Sequence, residues 1–402
     1  MSSINNNKIF ILAGETSGDL IGSHIMKGLK NNNKELFFSG VGGSHMNKQG
    51  LKSMYQMNEF NIIGFINTIY NFKKLNKYLN EIVYFILKEK PKAVITIDTK
   101  GFSLALAKKL KKSFSDNTYK CPLIHFVPPT IWAYGESRIK KWKNLHDGLF
   151  CLFKNEEDIF EKFNIKCSYV GNPIIENFLK YTDNIYSKTN KKKYFHNSKN
   201  INCLLLPGSR DGEVKYILPE FISLIKNSNV KLRNVNWIIP TTELRYNYII
   251  SKIKKYNVSG NARVVVLEEN YELLKQADLA VACSGTITLE LALFKVPTIA
   301  VYKTDFFSAF LGRLLVNFQN VILPNFLLSK NIIPFLFQEK FNNVRITNLL
   351  IEYIETIDKK KKDFKEYSSM ILKNMIYDKP GRINFSINSS KEINKIINNY
   401  NY

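Results

Sequence analysis

Short apolar segments without regular polar alternation recur along the chain, separated by longer stretches in which apolar residues follow helical spacing. The segments are Ile9–Ala13, Leu36–Ser39, Ala93–Ile97, Leu123–Val127, Gly148–Leu152 and Ser168–Val170 in the first half, and Asn202–Leu206, Trp237–Ile239, Arg263–Leu267, Leu279–Ala282 and Thr298–Tyr302 in the second. A strand buried on both faces shows no alternation, so these segments predict parallel sheets covered by helices. Helical spacing between them is clearest at Leu20–Leu29, Leu75–Leu87 and Leu104–Leu110.

This alternation of strand and helix runs through the chain twice, which predicts two domains. A single core stops growing near roughly 250–300 residues, whereas the chain has 402. We therefore predict an α/β protein of two Rossmann-like, doubly wound domains facing a central cleft, at residues 1–180 and 201–350. A polar, lysine-rich linker is expected at 181–200. A helical segment is expected at 351–402, and the sequence leaves open whether it packs across the domains.

Composition narrows the class of partner. Hydrophobic residues make up 45% of the chain and charged residues 23%, which is typical of a globular protein. Lysine and arginine total 58 against 34 acidic residues, a formal net charge of +24. Such an excess favours anionic partners, namely nucleic acid, acidic lipid or phosphorylated substrates.

Other features of the sequence indicate the cellular compartment of the protein and whether it binds a metal or a cofactor. The five cysteines are scattered singly, which is typical of buried thiols in a reducing compartment. The N-terminal residues do not resemble a signal peptide, and no run of about 18 apolar residues is present. We therefore expect a cytoplasmic protein, soluble or peripheral to a membrane. The five histidines are dispersed and no Asp-x-Asp pair occurs, so we expect no bound catalytic metal and no cofactor.

Candidate chemistry is expected after the strands, because ligands of open parallel sheets lie beyond the carboxyl ends of the strands. The first such loop, Ala13–Asp19, contains Gly14 and leads into a helix, whose free amides favour an anion. A tight turn in which Ser17 or Asp19 caps that helix is the alternative.

The third predicted strand in the chain ends at Asp98. A carboxylate in that position could act as a general base, or it could cap a helix or pair with Lys100. The next strand leads into Pro128–Tyr134, where paired prolines and aromatic residues form a stiff apolar wall suited to a sugar or an acyl chain. We expect His125, within that strand, to be a core residue.

The second half contains a loop with a distinct phosphate-binding pattern. A buried strand leads directly into Gly208, Ser209 and Arg210. Backbone amides at a glycine turn, together with a guanidinium, fit a diphosphate. A salt bridge from Arg210 to Asp211 or Glu213 is the alternative, which we expect to be the weaker one because Arg210 follows the strand so closely.

A further strand in this half leads into Ser284, Gly285 and Thr286, followed by a helix. The turn offers amides and hydroxyls to a phosphate, and Glu290 could accept hydrogen bonds from ribose hydroxyls. A hydroxyl-capped helix with Glu290 as an ordinary helical residue is the alternative.

These motifs, taken in order, resemble those of the lipid-A-disaccharide synthases. The resemblance extends from about residue 8 to about residue 340 and rests on Ala13–Asp19, Gly40–Gly43, Ile97-Asp98, His125–Val127 with Ile131–Ala133, Leu206–Glu213, Ser284–Glu290, Tyr302-Lys303 and Leu323–Asn325. It implies an inverting glycosyltransferase of family 19 with the GT-B fold. Such enzymes join UDP-2,3-diacylglucosamine to 2,3-diacylglucosamine 1-phosphate and release UDP.

The resemblance also implies roles for particular residues. The nucleotide sugar would bind in the second domain, at Gly208–Arg210, Ser284–Glu290 and Asn325. The lipid acceptor would bind in the first domain near Gly14, Glu15, Ser17, Asp98 and the Pro128–Tyr134 wall, with Asp98 as the base and Glu15 as a further catalytic candidate. Arg210 would offset the charge that builds on departing UDP.

The chain departs from the family pattern in three places. The second aspartate that often follows Asp98 in an Asp-Phe pair is replaced by Gly101-Phe102, so Asp98 carries the base hypothesis alone. The usual Gly-His-Pro is Gly171-Asn172-Pro173, which weakens any role for a histidine there. The usual Ser-Pro-Ser is Pro128-Pro129-Thr130.

Acylated substrates imply contact with an anionic membrane surface, with the protein in the cytoplasm at the inner membrane. Phe60–Phe72, followed by Lys73 and Lys74, suits such a surface, as does Phe306–Leu315 with Arg313. A helix that simply covers a sheet is the alternative in each case. The oligomeric state stays open, with a homodimer among the alternatives.

Three other functions compete with the transferase. Another GT-B enzyme, such as a UDP-GlcNAc 2-epimerase, would share the loop at Ser284–Glu290 but is not expected to match the motifs of the first domain. A basic nucleic-acid-binding protein would explain the net charge, but the lysines are spread along the chain and no RNA- or DNA-binding motif occurs. A membrane protein that has lost catalysis is less consistent with the presence of Asp98, Arg210 and Glu290.

Overall fold

The computed structural model describes residues 5–60, 65–129, 136–184, 200–228, 232–258, 260–267, 271–315, 320–376 and 384–401. The chain divides into two compact units, residues 1–176 with 375–402, and residues 177–374. Residues 185–199 of the predicted linker, 61–64 of the Phe60–Phe72 segment and 130–134 of the predicted apolar wall lie outside the described ranges. The domain boundaries and the linker therefore stay predictions.

Unit 1 is built on one parallel sheet. Its strands are β1 (Asn5–Ala13), β2 (Phe37–Val41), β3 (Lys52–Ser53), β4 (Pro91–Ile97), β5 (Leu123–Phe126), β6 (Gly148–Cys151) and β7 (Ser168–Tyr169), in the order β3-β2-β1-β4-β5-β6-β7. Its helices up to the unit boundary are α1 (Thr16–Asn32), α2 (Ser44–Lys48), α3 (Phe65–Glu89), α4 (Lys100–Ser115), α5 (Lys154–Glu161) and α6 (Pro173–Asn184), the last of which continues into unit 2.

Unit 2 repeats this architecture. Its strands are β8 (Ile201–Leu206), β9 (Val235–Thr241), β10 (Ala262–Val266), β11 (Leu279–Cys283), β12 (Thr298–Tyr302) and β13 (Phe335–Phe337), in the order β10-β9-β8-β11-β12-β13. Its helices are α7 (Asp211–Lys226), α8 (Glu243–Lys255), α9 (Glu272–Lys275), α10 (Ile287–Leu293), α11 (Phe306–Leu315), α12 (Leu323–Leu328), α13 (Asn343–Glu355) and α14 (Ile357–Ile376). The final helix, α15 (Phe385–Asn398), belongs to unit 1.

The second sheet shows why its strands lack alternation. Cys203 and Leu205 of β8 belong to one buried cluster, whereas Leu204 and Leu206 belong to another on the opposite face. Helices cover both faces, so apolar residues follow one another from Cys203 to Leu206 without polar alternation. The prediction of doubly wound α/β units is thereby confirmed.

Both sheets contain a point at which the strand order reverses. In unit 1 the chain runs outwards from β1 to β3 and then starts again at β4 on the other side of β1, and in unit 2 it does the same between β8 and β11. Ligands of doubly wound sheets bind at this switch point, beyond the carboxyl ends of the two strands. The topology therefore selects the loops after β1, β4, β8 and β11.

The C-terminal helix α15 packs closely on α1. A side chain at Gly28 would place its Cβ 1.9 Å from the carbonyl oxygen of Ser386, so only glycine permits the approach. The hydroxyl of Ser386 lies 3.0 Å from His24 Nδ1 and donates to the buried carboxylate of Glu176 at 3.1 Å. These contacts hold the end of the chain on unit 1.

Within the part of the chain that the structure describes, no helix is both long enough and apolar enough to cross a bilayer.

Candidate functional site

The loops after β1 and β4 meet at the switch point of unit 1. The backbone N–H of Gly14 donates to Thr99 Oγ1 at 3.0 Å. A Cβ on Gly14 would lie 2.7 Å from the same oxygen and 2.8 Å from Cβ of Phe60, so the approach needs glycine. Asp98 and Thr99 both have left-handed backbone conformations, with φ of 49° and 43°. The structure therefore brings together the loops that contain Gly14 and Asp98.

Asp98 is paired with Lys100 in this structure. Lys100 Nζ lies 3.2 Å from Asp98 Oδ1, and the Asp98 side chain is 21% exposed. The carbonyl oxygen of Asp98 also accepts a hydrogen bond from the Ser103 hydroxyl, which fixes the backbone at the start of α4. The pairing with Lys100, which the sequence left open, is therefore present, and the carboxylate is partly exposed.

Asp19 has a different role from the one expected. It does not cap its own helix, whose N-cap residue is Glu15 without a side-chain capping bond. Its buried carboxylate instead accepts the backbone N–H groups of Gly43, His45 and Met46, at 2.8, 2.9 and 3.0 Å. Asp19 therefore caps α2 and ties the loop after β2 to α1.

The remaining predicted residues of the first loop lie at the surface of unit 1. Glu15 and Ser17 are half-buried at the start of α1.

His125, within β5, is fully buried. Its Nδ1 lies 2.8 Å from Thr96 Oγ1, and burial holds the pKa of its imidazole well below the usual range. The interpretation of His125 as a core residue is confirmed.

In unit 2 the loop after β8 closes around a carboxylate of its own chain. Gly208 has φ of 100°, and a Cβ there would lie 2.4 Å from Glu213 Oε2. The same oxygen accepts the backbone N–H groups of Ser209 and Arg210, at 3.1 and 3.2 Å. The buried carboxylate of Glu213 therefore accepts hydrogen bonds from the backbone amides that the sequence predicted to bind a phosphate.

The guanidinium of Arg210 pairs with that same side chain. Arg210 Nη1 donates to Glu213 Oε1 at 2.9 Å, so the expectation that this salt bridge is the weaker alternative is wrong. The cause is the capping box at the start of α7, in which residue N3 reaches back to the N-cap. The Arg210 side chain remains 35% exposed, so it can still contact a ligand.

The loop after β11 lies beside the loop after β8. Leu206 of β8 is in register with Ala282 of β11, which places the two carboxyl ends side by side. Burial raises the pKa of the Cys283 thiol, and the nearby carboxylate of Glu213 raises it further. Gly285 and Thr286 are exposed, and a Cβ built on Gly285 would meet open space. This loop is therefore accessible to a ligand.

Glu290 lies one turn into α10 and is half-buried. Burial raises the pKa of its carboxyl to about 7, although a hydrogen bond from the Tyr271 hydroxyl opposes the shift. The ring of Tyr271 stacks on Phe294, with centroids 5.1 Å apart. Glu290 therefore changes charge near neutral pH, which an ordinary surface carboxyl does not do.

Asn325 is engaged within its own loop. Its Nδ2 donates to Asn331 Oδ1 and to the carbonyl of Ile333, each at 2.9 Å. Its Oδ1 accepts the backbone N–H groups of Ile332 and Ile333. The structure gives this buried amide a role in holding the loop before β13, and its contact with UDP stays a prediction.

Two site residues were not singled out as functional from the sequence. Glu213 was weighed only as a partner of Arg210, although its position three residues after the N-cap is a capping-box signal. Tyr271 reaches Glu290 from a loop 19 residues earlier, a contact for which the sequence holds no local signal.

The two doubly wound units and their strand orders define a fold of the GT-B class. The chain superposes on the S. aureus MnaA–UDP co-structure with a TM-score of 0.58 and 15% identity, covering 93% of this chain and 99% of that one. It superposes on UDP-N-acetylglucosamine 2-epimerase from Rickettsia bellii with a TM-score of 0.58 and 14% identity, covering 98% and 97%. At such identity the likeness establishes the fold alone.

Sequence comparison identifies the family. A model of the lipid-A-disaccharide synthetase family matches residues 9–383. The lipid-A-disaccharide synthase of Rickettsia canadensis is 34% identical over 367 residues, covering 91% of this chain and 92% of that protein. That of Gluconobacter oxydans is 31% identical over 336 residues, covering 82% and 77%. The chain belongs to the lipid-A-disaccharide synthase family.

Membership settles the class of activity. The protein is a glycosyltransferase of lipid A biosynthesis, as the sequence motifs implied. An epimerase and a nucleic-acid-binding protein, which the sequence left as alternatives, are not favoured.

Proposed function

We propose that the protein joins UDP-2,3-diacylglucosamine to 2,3-diacylglucosamine 1-phosphate, forming a β-1,6-linked disaccharide 1-phosphate and UDP with inversion at the anomeric carbon. Family membership supports a UDP-sugar and an acylated glucosamine phosphate as the substrates. One observation carries the proposal further. The candidate residues of each unit flank its switch point, with Gly14 and Asp98 after β1 and β4, and Arg210 and Ser284 after β8 and β11.

The donor is assigned to unit 2. The exposed turn at Gly285 and Thr286 and the half-exposed guanidinium of Arg210 lie after neighbouring strands, which suits a diphosphate that bridges them. As the bond to the sugar breaks, negative charge builds on UDP, and a guanidinium already held by Glu213 can stabilise that charge without reorganising. Glu290 is assigned to the ribose hydroxyls.

The acceptor is assigned to unit 1, near Gly14, Glu15, Ser17 and Asp98. In the proposed step, the carboxylate of Asp98 takes the proton from the acceptor 6-hydroxyl while that oxygen attacks the anomeric carbon of the donor. The bond from that carbon to the diphosphate oxygen breaks, and UDP leaves with the electron pair. Lys100, 3.2 Å from Asp98, keeps a positive charge beside the base.

Membrane contact is assigned to α11. Phe306, Phe307 and Phe310 on this helix are 83%, 40% and 50% exposed. The helix follows β12, the neighbour of β11, so these rings stand at the same edge of the sheet as the proposed donor loop. Acylated substrates reside in a membrane, and exposed aromatic rings insert at its interface. A cytoplasmic location at the inner membrane and a homodimer remain part of the proposal.

Product analysis tests the reaction. The purified protein is mixed with both acylated substrates and EDTA, and the product is examined by mass spectrometry and NMR. The proposal predicts a disaccharide monophosphate with a β-1,6 linkage, formed without added metal. An α-linkage would contradict inversion, a requirement for metal would contradict the charge role of Arg210, and an epimerised donor in place of a disaccharide would contradict the transfer itself.

A further inference from the structure

A second arginine lies beside the proposed donor loop and belongs to none of the motifs considered so far. Arg245, in the first turn of α8, forms a salt bridge through Nη1 with Asp211, the first residue of α7. Arg210 immediately precedes Asp211 in the chain. The guanidinium of Arg245 is therefore placed at the same end of α7 as the guanidinium of Arg210.

Two buried polar atoms in this place have no hydrogen-bond partner among the residues that the structure describes. One is Nε of Arg245, whose side chain is only 17% exposed. The other is the hydroxyl of Thr241, a residue that is 4% exposed and ends β9. Buried donors and hydroxyls are nearly always paired in folded proteins, and each exception calls for an explanation.

The packing of β9 indicates that these two atoms lie on the same side of the sheet. Trp237 and Ile239 of β9 belong to the buried cluster that includes Val214 of α7 and Ile249 of α8. Side chains alternate along a strand, so Thr241, two residues after Ile239, faces the same two helices. Because Thr241 ends its strand, its hydroxyl lies towards the ends at which α7 and α8 begin, which is where Asp211 and Arg245 are paired.

The salt bridge with Asp211 does not use all the hydrogen-bond donors of Arg245. A guanidinium offers a planar fork of donors that matches two oxygens of one phosphate group, and Asp211 accepts from Nη1. The Asp211 side chain is 83% exposed, so this ion pair is weak and the carboxylate can turn into solvent. The Nε–H points to the edge of the guanidinium that it shares with Nη2, so a phosphate at that edge would accept from Nε and Nη2 together.

We propose that Arg245, together with the hydroxyl of Thr241, binds a phosphate group of a substrate at the start of α7 and α8. The inference rests on the proposed function, in which both substrates carry phosphate. The diphosphate of the nucleotide sugar and the 1-phosphate of the acceptor share the required chemistry, and the test separates them.

The first experiment measures the affinity of UDP and of uridine by calorimetry for the wild type, Arg245→Ala, Arg245→Lys and Lys254→Ala. Lys254 is an exposed cation further along α8 and controls for the loss of one positive charge. Loss of a charged hydrogen bond weakens binding by roughly 10-fold or more. We expect that loss for UDP but not for uridine in Arg245→Ala, most of the loss in Arg245→Lys, and none in Lys254→Ala.

The second experiment separates the two sources of phosphate. If Arg245→Ala binds UDP normally but has a raised KM for the acylated glucosamine 1-phosphate, and not for the same acceptor without phosphate, the site holds the acceptor phosphate. If Arg245→Ala matches Lys254→Ala in both assays, Arg245 is only a partner of Asp211 and the inference is overturned. In that case a loss of UDP binding in Arg210→Ala leaves the proposed function intact. A wild type that neither binds UDP nor forms a disaccharide contradicts the proposed function itself.

Thr241→Val provides an independent check, because valine has the same shape without the hydroxyl. Removal of an unpaired buried hydroxyl stabilises the free protein, so we expect a higher urea midpoint for this variant. We also expect weaker binding of the phosphate ligand identified above. Lower stability, or unchanged phosphate binding, would exclude the hydroxyl from the site.

Discussion

The guanidinium of Arg210 lies 2.9 Å from the carboxylate of Glu213, whose second oxygen accepts the two backbone N–H groups of the loop before α7. One side chain therefore fixes both the loop and its arginine before any ligand binds. In the proposed reaction, a charge fixed in this way would favour the transition state, because it needs no rearrangement as the leaving group becomes negative.

Arg210→Ala is expected to weaken UDP binding roughly 10- to 100-fold, the range for a lost charged hydrogen bond, and to lower kcat as well. Calorimetry with UDP and steady-state rates measure the two effects. Arg233→Ala, at a residue that follows α7, is the charge-matched control. An Arg210 variant with normal UDP affinity would remove the diphosphate role.

Asp98→Asn is expected to reduce kcat by about 100-fold or more, in the range attributed to a general base, with UDP affinity nearly unchanged. The physical reason is that an amide cannot take the acceptor's proton. Single-turnover rates at saturating substrate measure the effect, with Asp116→Asn, an exposed aspartate at the end of α4, as the control. Turnover equal to that of the control would exclude Asp98 as the base.

Glu290→Gln is expected to alter how stability depends on pH. Burial raises the pKa of this carboxyl from 4.5 to about 7, so the folded state keeps a proton that the unfolded state releases. The wild type therefore loses stability as the pH rises from about 5 to about 7, by roughly 1–3 kcal/mol, and the loss levels off above that. Urea unfolding across this range should show a smaller decline in Glu290→Gln. Glu243→Gln, at an exposed position of α8, should lose stability with pH as the wild type does. An equal decline in all three proteins would contradict the raised pKa of Glu290.

Asp19→Ala is expected to lower the free energy of unfolding by roughly 2–3 kcal/mol, because three backbone N–H groups at α2 lose their acceptor. Chemical unfolding measures the change. Asp158→Asn, at an exposed position of α5, should unfold like the wild type. If Asp19→Ala instead keeps full stability and loses only activity, Asp19 acts on the substrate and not on the fold.

Replacement of Phe306, Phe307 and Phe310 together by serine is expected to reduce sedimentation with phosphatidylglycerol vesicles several-fold, since burial of aromatic side chains drives interfacial binding. Phe37→Ser is the control. Phe37 is also exposed, at 66%, but it begins β2 in unit 1, whereas α11 follows the carboxyl end of β12 in unit 2. Equal loss in both proteins would show that α11 is not a specific contact.

Much of the fold is predictable from the apolar segments. Each of the eleven predicted segments overlaps a strand of the structure, because strands covered on both faces by helices are mostly apolar. The missed strands, β3 and β13, are only two and three residues long. Lys52–Ser53 carries no apolar signal at all, since it forms the edge of its sheet.

The site is predictable only in part. Strand ends mark the candidate loops, and the switch points select among them the loops that contain Asp98 and Arg210, whose roles stay predictions. Contacts that depend on distant parts of the chain were not found. Asp19 reaches α2 over a separation of 24 to 27 residues, and Arg245 meets Asp211 only because β8 and β9 are neighbours.

The most direct test of the account is the release of UDP from UDP-2,3-diacylglucosamine, measured with and without 2,3-diacylglucosamine 1-phosphate. A transferase whose base activates the acceptor hydroxyl releases UDP only when the acceptor is present, in a one-to-one ratio with the disaccharide. We predict that dependence for the wild type and its loss in Asp98→Asn. Rapid UDP release from the donor alone, unaffected by the acceptor, would contradict direct transfer.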